Sequence, residues 1–190
     1  MSPERVNDGR VSPERVNDGR MRRDRHLRTG LVAALLVLLA DQASKWAILS
    51  PIDLPGRGLI VLAPVLNLAM VWNRGVTFGL LTGFGEWGHL VLAGLAICVV
   101  AALLIWLRRA ETRLAAIALG AIAGGAIGNV IDRVRFGAVV DFIDAHVSTP
   151  WGEWHWYVFN LADAAIVCGV AALVIDSQWP RRAPADKVPE

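Results

Sequence analysis

Carboxylates and carboxamides recur inside apolar stretches of this chain, which is where ionisable groups are most costly. GNVIDR sets Asn129, Asp132 and Arg133 at i, i+3 and i+4 on one helical face, and FNLAD puts Asn160 and Asp163 three apart. ADQASKW places Asp41 and Lys45 four apart, close enough to pair and to lower each other's desolvation cost. FGAVVDFIDAHV surrounds Asp141 with Val139, Val140, Phe142 and Ile143. Two carboxyls held together in such surroundings cannot both ionise cheaply, so they share a proton. One then acts as general base toward a water and the other protonates a leaving amine, a chemistry that cuts amides with no metal and no covalent intermediate. Asp141 facing Asp163 is one such pairing; Asp132 and Asp144 are rival partners.

These side chains need a frame, and the composition says which kind. Of 190 residues, 55% are hydrophobic and 19% charged, a balance suited to a bilayer rather than to a water-covered domain. About 20 apolar residues cross the hydrocarbon as a helix. Four stretches meet that length, Leu31 to Leu49, Leu90 to Leu107, Leu114 to Ile131 and Trp156 to Ile175, which predicts an all-α membrane bundle. Leu59 to Val71 is apolar but short and holds Pro64 and Asn67, so it reads as β or interfacial structure. Gly120, Gly124 and Gly128 recur every four residues, the small-residue pattern that lets membrane helices approach closely.

Arg22, Arg23, Arg25 and Arg28 precede the first span, Arg108, Arg109 and Arg113 join the second to the third, and Arg181, Arg182 and Lys187 follow the fourth. The positive-inside rule then makes both termini cytoplasmic. Trp46, Trp72, Trp87, Trp151, Trp154 and Trp156 gather at the opposite interface as an aromatic belt. Residues 1–26 form a basic leader containing a tandem decapeptide and read as disordered; 27–178 form the membrane domain and 179–190 a cytoplasmic tail. The first span, with Asp41 and Lys45 inside it, reads as a retained anchor rather than a cleaved signal. Met21 is a second candidate start.

The polar residues of three spans fall at one depth near the outer face, Asp163 about 10 Å below it at 1.5 Å per residue. A proton-linked transporter or channel, the main alternative, would string ionisable groups across the full thickness. A metalloprotease using His146, His155 and Asp144 would lack the H-E-x-x-H element. A noncatalytic assembly factor would use the aspartates only to hold helices together. The basic residues are not interleaved with aromatics, so nucleic acid is no expected partner. Cys98 and Cys168 lie in apolar runs without metal or disulfide spacing.

Taken together, ADQASKW, WNRGVTFG, GGAIGNVIDRVRFGAVVDFI and FNLADAAI resemble, in order, the D-Q-x-x-K, N-x-G-x-x-F, G-N-x-x-D-R with V-V-D-F, and F-N-x-A-D elements of the bacterial lipoprotein signal peptidase (signal peptidase II) family. The resemblance runs from about Leu27 to Ile175. It implies a four-helix membrane bundle with a small extracytoplasmic β-cradle, about residues 51–86, and a short extracytoplasmic helix. It implies an inner-membrane aspartic endopeptidase that cuts before a diacylglyceryl-cysteine, with no cofactor and no metal. Its catalytic pair carries over as Asp141 and Asp163. Asn73, Asn129, Arg133 and Asn160 carry over as substrate-contacting positions, and Asp41, Lys45 and Asp132 as structural support. Implied partners are prolipoprotein signal peptides, membrane lipids and peptide-like inhibitors of the globomycin type.

Overall fold

The computed structural model describes residues 13–75, 87–155 and 157–178. In chain order its elements are α1 (Pro13–Leu49), α2 (Leu54–Arg57), β1 (Leu59–Ala63), β2 (Leu66–Asn73), α3 (Gly88–Leu107), α4 (Arg113–Phe136), β3 (Val139–Thr149), β4 (Gly152–His155) and α5 (Leu161–Gln178). Four of these helices are long and apolar enough to cross a membrane: Met21–Leu49 within α1, then α3, α4 and α5. Over half of the apolar window of α4, 56%, is buried inside the protein, against 17% or less for the other three. Helix α4 is therefore the central element, and the other spans show most of their apolar surface to lipid.

Small residues on α4 make that position possible. A side chain at Gly120 would run into the backbone of Gly30, one at Gly124 into the backbone of Ala34, and one at Gly128 into the carboxylate of Asp41. Helix α1 thus lies directly on the four-residue glycine ladder, as the spacing predicts. On another face of α4, Gly125 meets the carbonyl of Ala162 and brings α5 equally near. Close backbone approach substitutes for the hydrophobic effect, which gives helices little reason to associate within lipid.

The helix ends differ from the sequence expectation, each for a local reason. The leader, expected to be unstructured through residue 26, is helical from Pro13, where proline's fixed φ suits a first turn. No further proline interrupts it until Pro51, just past its end. Helix α4 continues beyond Ile131 to Phe136 and stops where Gly137 takes a left-handed conformation (φ 71°) and donates its N–H to the Arg133 carbonyl. Helix α5 begins at Leu161, not at 156, because the chain before it is bound to a strand: Ile143 and Phe159 form an antiparallel bridge, with Ile143 N–H donating to the Phe159 carbonyl at 2.8 Å and Phe159 N–H to the Ile143 carbonyl at 3.0 Å. Trp156 and the tail from 179 lie outside the described residues, as does the part of the expected cradle over 76–86.

The strands pair antiparallel in the order β1-β2-β3-β4. The sheet therefore draws two strands from beyond α4, which the expected span of 51–86 leaves out. The first part of β3 pairs with β2, from Leu66↔Ala145 to Asn73↔Val139, and its last residues pair with β4. Val140 and Phe142, on one face of β3, join Ile48 and Leu54 in a buried cluster, fixing the strand to the end of α1. Alternation turns Asp141 to the other face. A bulge shifts the β2–β3 register between Leu68 and Val71, immediately beside Val71↔Asp141, where it re-aims the local side chains. The single turn α2 sits between α1 and the sheet.

Candidate active site

Five elements deliver polar side chains to the sheet end of the bundle: the last turns of α1 and α4, strands β2 and β3, and the entry to α5. At the base, Lys45 Nζ lies 2.9 Å from Asp41 Oδ2, 2.7 Å from Asp132 Oδ2 and 3.1 Å from Asn129 Oδ1. An ammonium has three N–H donors, and three acceptors use them. All four groups are buried, Asp41 completely and Asp132 to 1% exposure. The i, i+4 pair read from the sequence is thus two members of a triad, with Asp132 as the second carboxylate.

This triad also holds backbone. Asp132 Oδ2 accepts the N–H of Val140 at 3.1 Å, and Asp41 Oδ1 accepts the N–H of Ala162 at 3.0 Å. Val140 precedes Asp141 and Ala162 precedes Asp163, so one buried ion cluster ties down the chain just before each of the two carboxyls. Gln42 Nε2 closes the cluster, within 3.2 Å of Asp41 Oδ2 and Asp132 Oδ1 and 3.3 Å of the Gly128 carbonyl.

Above the triad, two carboxamides join the carboxyls. Asn160 Nδ2 donates to Asp141 Oδ1 at 2.7 Å and to Asn129 Oδ1 at 3.1 Å, and Asn129 Nδ2 donates to Asp163 Oδ1 at 2.8 Å. Asn73 Nδ2, diagonally across the β2–β3 pair, donates to Asp141 Oδ2 at 2.9 Å. Asn160 also caps α5: its Oδ1 accepts the Asp163 N–H at 2.9 Å while Asp163 Oδ2 accepts the Asn160 N–H at 3.3 Å. That is a reciprocal capping box. Consequently Asn160 stands just outside the helix rather than on its face, and the spacing that suggested a shared helical stripe is the spacing of a cap.

Burial divides the site. Asp141 (1% exposed), Asn129 and Asn160 are enclosed, whereas Asp163, Asn73 and Arg133 are half-buried and open to an incoming molecule. A cavity of about 460 Å³ bordered by Trp72, Asn73 and Tyr157 reaches Asp141. Arg133 Nη1 donates to the Asn129 carbonyl at 3.2 Å, and its buried Nε has no acceptor among the described residues. Burial pushes the Asp141 carboxyl up to about 6; the Asn73 hydrogen bond opposes the rise and the nearby Asp163 charge adds to it.

The nine residues singled out from the sequence therefore meet in one continuous network. Of the rivals, Asp132 is committed to Lys45 and Val140, and Asp144 lies elsewhere, accepting from Asn67 Nδ2 at 3.2 Å beside His146. Among the described residues no three His, Cys, Asp or Glu side chains are grouped to hold a metal. One participant was not foreseen, Gln42, for which an amide adjacent to Asp41 inside an apolar span was the available signal.

Four membrane-length helices, a sheet over one end, and a buried network of acids and amides at that same end define a polytopic membrane protein with its polar centre near one face. Residues 33–179 match the family model described as signal peptidase (SPase) II. Curated relatives named lipoprotein signal peptidase include one from Methylobacterium sp. (strain 4-46), 48% identical over 155 residues and covering 82% of this chain and 92% of that protein. Another, from Nitrobacter hamburgensis, is 47% identical and covers 86% of this chain and 98% of that protein. A solved bacterial membrane enzyme, determined by the in meso method at 2.3 Å resolution, superposes with a TM-score of 0.65 at 26% identity, covering 83% of this chain and 94% of that one. The chain belongs to the signal peptidase II family and is a membrane peptidase.

Proposed function

We propose that the protein is an aspartic endopeptidase that removes signal peptides from diacylglyceryl-modified prolipoproteins, cutting just before the lipidated cysteine. The observation carrying this reading is the Asn129–Asn160 bridge: two carboxyls from separate elements, Asp141 of β3 and Asp163 of α5, are hydrogen-bonded through one pair of carboxamides. Burial pushes the Asp141 carboxyl up to about 6, which favours its carrying the single proton that such a pair of acids needs. In the reaction, the charged carboxylate takes a proton from water as that water attacks the scissile carbonyl. The protonated carboxyl then gives its proton to the leaving amine as the carbon–nitrogen bond breaks.

Asn73 and Arg133 supply donors to the substrate backbone, Arg133 with an Nε that has no acceptor among the described residues. Asn129 and Asn160 orient the acids at the substrate's edge. Asp41, Lys45 and Asp132 support both β3 and the start of α5 from below. The arginines around the chain's leader and the α3–α4 turn assign both termini to the cytoplasm, which puts the sheet end on the extracytoplasmic side of the bacterial inner membrane. A lipid on the substrate cysteine fixes the depth of the scissile amide, turning membrane partition into positioning beside the acids. Peptide-like inhibitors of the globomycin type would occupy the same ground.

Transport fits the polar distribution less well. Residues 31–40, 90–107, 114–131 and 164–175 contain no Asp, Glu, Lys, Arg or His, so the ionisable path that conduction needs stops at the triad. The test is cleavage of a purified diacylglyceryl prolipoprotein by the full chain. Cleavage that withstands a chelator and disappears in both Asp141→Asn and Asp163→Asn is expected; undiminished cleavage in either variant rejects the two-acid mechanism.

A further inference from the structure

The end of the bundle away from the sheet contains a second polar feature, which proteolysis does not use. Arg22, Arg25 and His26 fall at i, i+3 and i+4 on α1 and so share a face. His26 Nδ1 lies 3.2 Å from the Ala110 carbonyl, so this face is turned toward the short turn joining α3 to α4. A cavity of about 530 Å³ lies between them, walled by Arg22, Arg23, Arg25, His26 and Arg113, with Glu111 the single acid in its lining. A second cavity, about 380 Å³, adjoins it across Ala110 and Glu111; Trp106, Leu173 and Val174 give it an apolar wall, and Arg109, Ser177 and Asp176, whose Oδ1 accepts the Thr112 hydroxyl at 2.8 Å, also line it.

Four guanidinium groups gathered around one concavity repel each other, and Glu111 offsets only one of them. All four side chains are exposed, so screening by water keeps that repulsion small and leaves their N–H donors available to an anion. Their convergence on a cavity beside an apolar slot matches a ligand with an anionic head and a hydrocarbon body. Guanidinium forks suit phosphate oxygens in particular. Basic pockets between helix ends are where anionic lipid head groups are held.

From this we infer that the α1–α3–α4 corner is a binding site for one anionic phospholipid, its phosphodiester among Arg22, Arg25 and Arg113 and part of its chain along Trp106, Leu173 and Val174. The site pins the long N-terminal helix to the α3–α4 turn, remote from the carboxyls. It stands independently of the proteolytic reading.

Native mass spectrometry and thermal unfolding of the full chain in detergent test the site, using phosphatidylglycerol, phosphatidylcholine and inorganic phosphate as separate probes. Wild type should retain one phosphatidylglycerol and gain thermal stability from it, with at least about tenfold weaker retention of phosphatidylcholine. The combined R22Q/R25Q/R113Q variant should lose that preference, and Arg57→Gln, in the loop at the sheet end, should keep it. Equal retention of the two lipids by wild type overturns the inference without any variant. So does inorganic phosphate alone reproducing the stabilisation, which would mark a free-anion site, and so does an unchanged preference in the triple variant.

Discussion

Lys45 donates to Asn129, 3.1 Å from Nζ to Oδ1, and this contact fixes which way the carboxamide faces. An ammonium cannot accept a hydrogen bond, so Asn129 must present its oxygen to Lys45 and its Nδ2 to Asp163, 2.8 Å away. The same cation pairs with Asp41 and Asp132, whose other bonds hold the residues preceding Asp163 and Asp141. Support and chemistry are thus coupled through one side chain, and the consequences of removing it are specific.

Lys45→Met leaves two sealed carboxylates without a cation, a loss of about 3–5 kcal/mol for a broken buried ion cluster. Thermal unfolding in detergent should register it as a large fall in midpoint. A midpoint equal to wild type at neutral pH would show that the triad contributes no net stability.

Asn160→Ala separates positioning from folding. It removes the 2.7 Å donor to Asp141 and the capping contact to Asp163, so the two acids lose their shared partner. Loss of a cap costs about 1 kcal/mol of stability, whereas misplacing a reacting group by about 1 Å costs on the order of 100-fold in rate. Steady-state cleavage kinetics should therefore show kcat falling far more than the unfolding midpoint would suggest, with KM little changed. A rise confined to KM, with kcat unchanged, would make Asn160 a substrate-binding residue and nothing more.

The pH profile follows from Asp141. Burial pushes its carboxyl up to about 6; in the proposed reaction, with Asp141 as the acid, the proton for the leaving amine is lost as pH rises through that value, and kcat/KM should decline on the alkaline side. Asn73 donates to the charged form and opposes the rise; Asn73→Ala removes that donor, lifts the Asp141 pKa further and moves the declining limb to higher pH. Profiles of kcat/KM for the two proteins check this, and a limb that stays put or moves toward acid would contradict the assignment.

Much of this site was legible because the bilayer makes polar residues conspicuous: Asp41, Lys45, Asn129, Asp132 and Asp163 all interrupt apolar runs. Spans were legible for the same reason, and Asp41 with Lys45 paired as local geometry demands. Tertiary decisions were not. That Asp132 turns to Lys45 across 87 residues, or that β3 joins a sheet begun before α3, depends on non-local pairing that no periodicity encodes. The start of α5 was obscured because Trp156 to Ile175 reads as continuous apolar sequence, although Asn160 and Asp163 carry the spacing of a capping box. The bridge from Phe159 to Ile143 decides between the two readings.

Glycines at two depths give the last prediction. A Cβ at position 124 would collide with the backbone of Ala34, and backbone cannot turn aside as a flexible side chain can. Gly124→Val must therefore push α1 away from α4, costing about 1–3 kcal/mol as an overpacked contact and dragging Asp41 and Lys45 off Asp132 and Asn129. Gly94 in α3 is the control, since a Cβ there meets nothing within 4 Å. Gly94→Ala should be neutral or stabilising by up to about 1 kcal/mol through helix propensity. Paired thermal unfolding in detergent decides: a Gly124→Val protein as stable as Gly94→Ala would mean that α1 does not depend on the close approach that the triad's geometry requires.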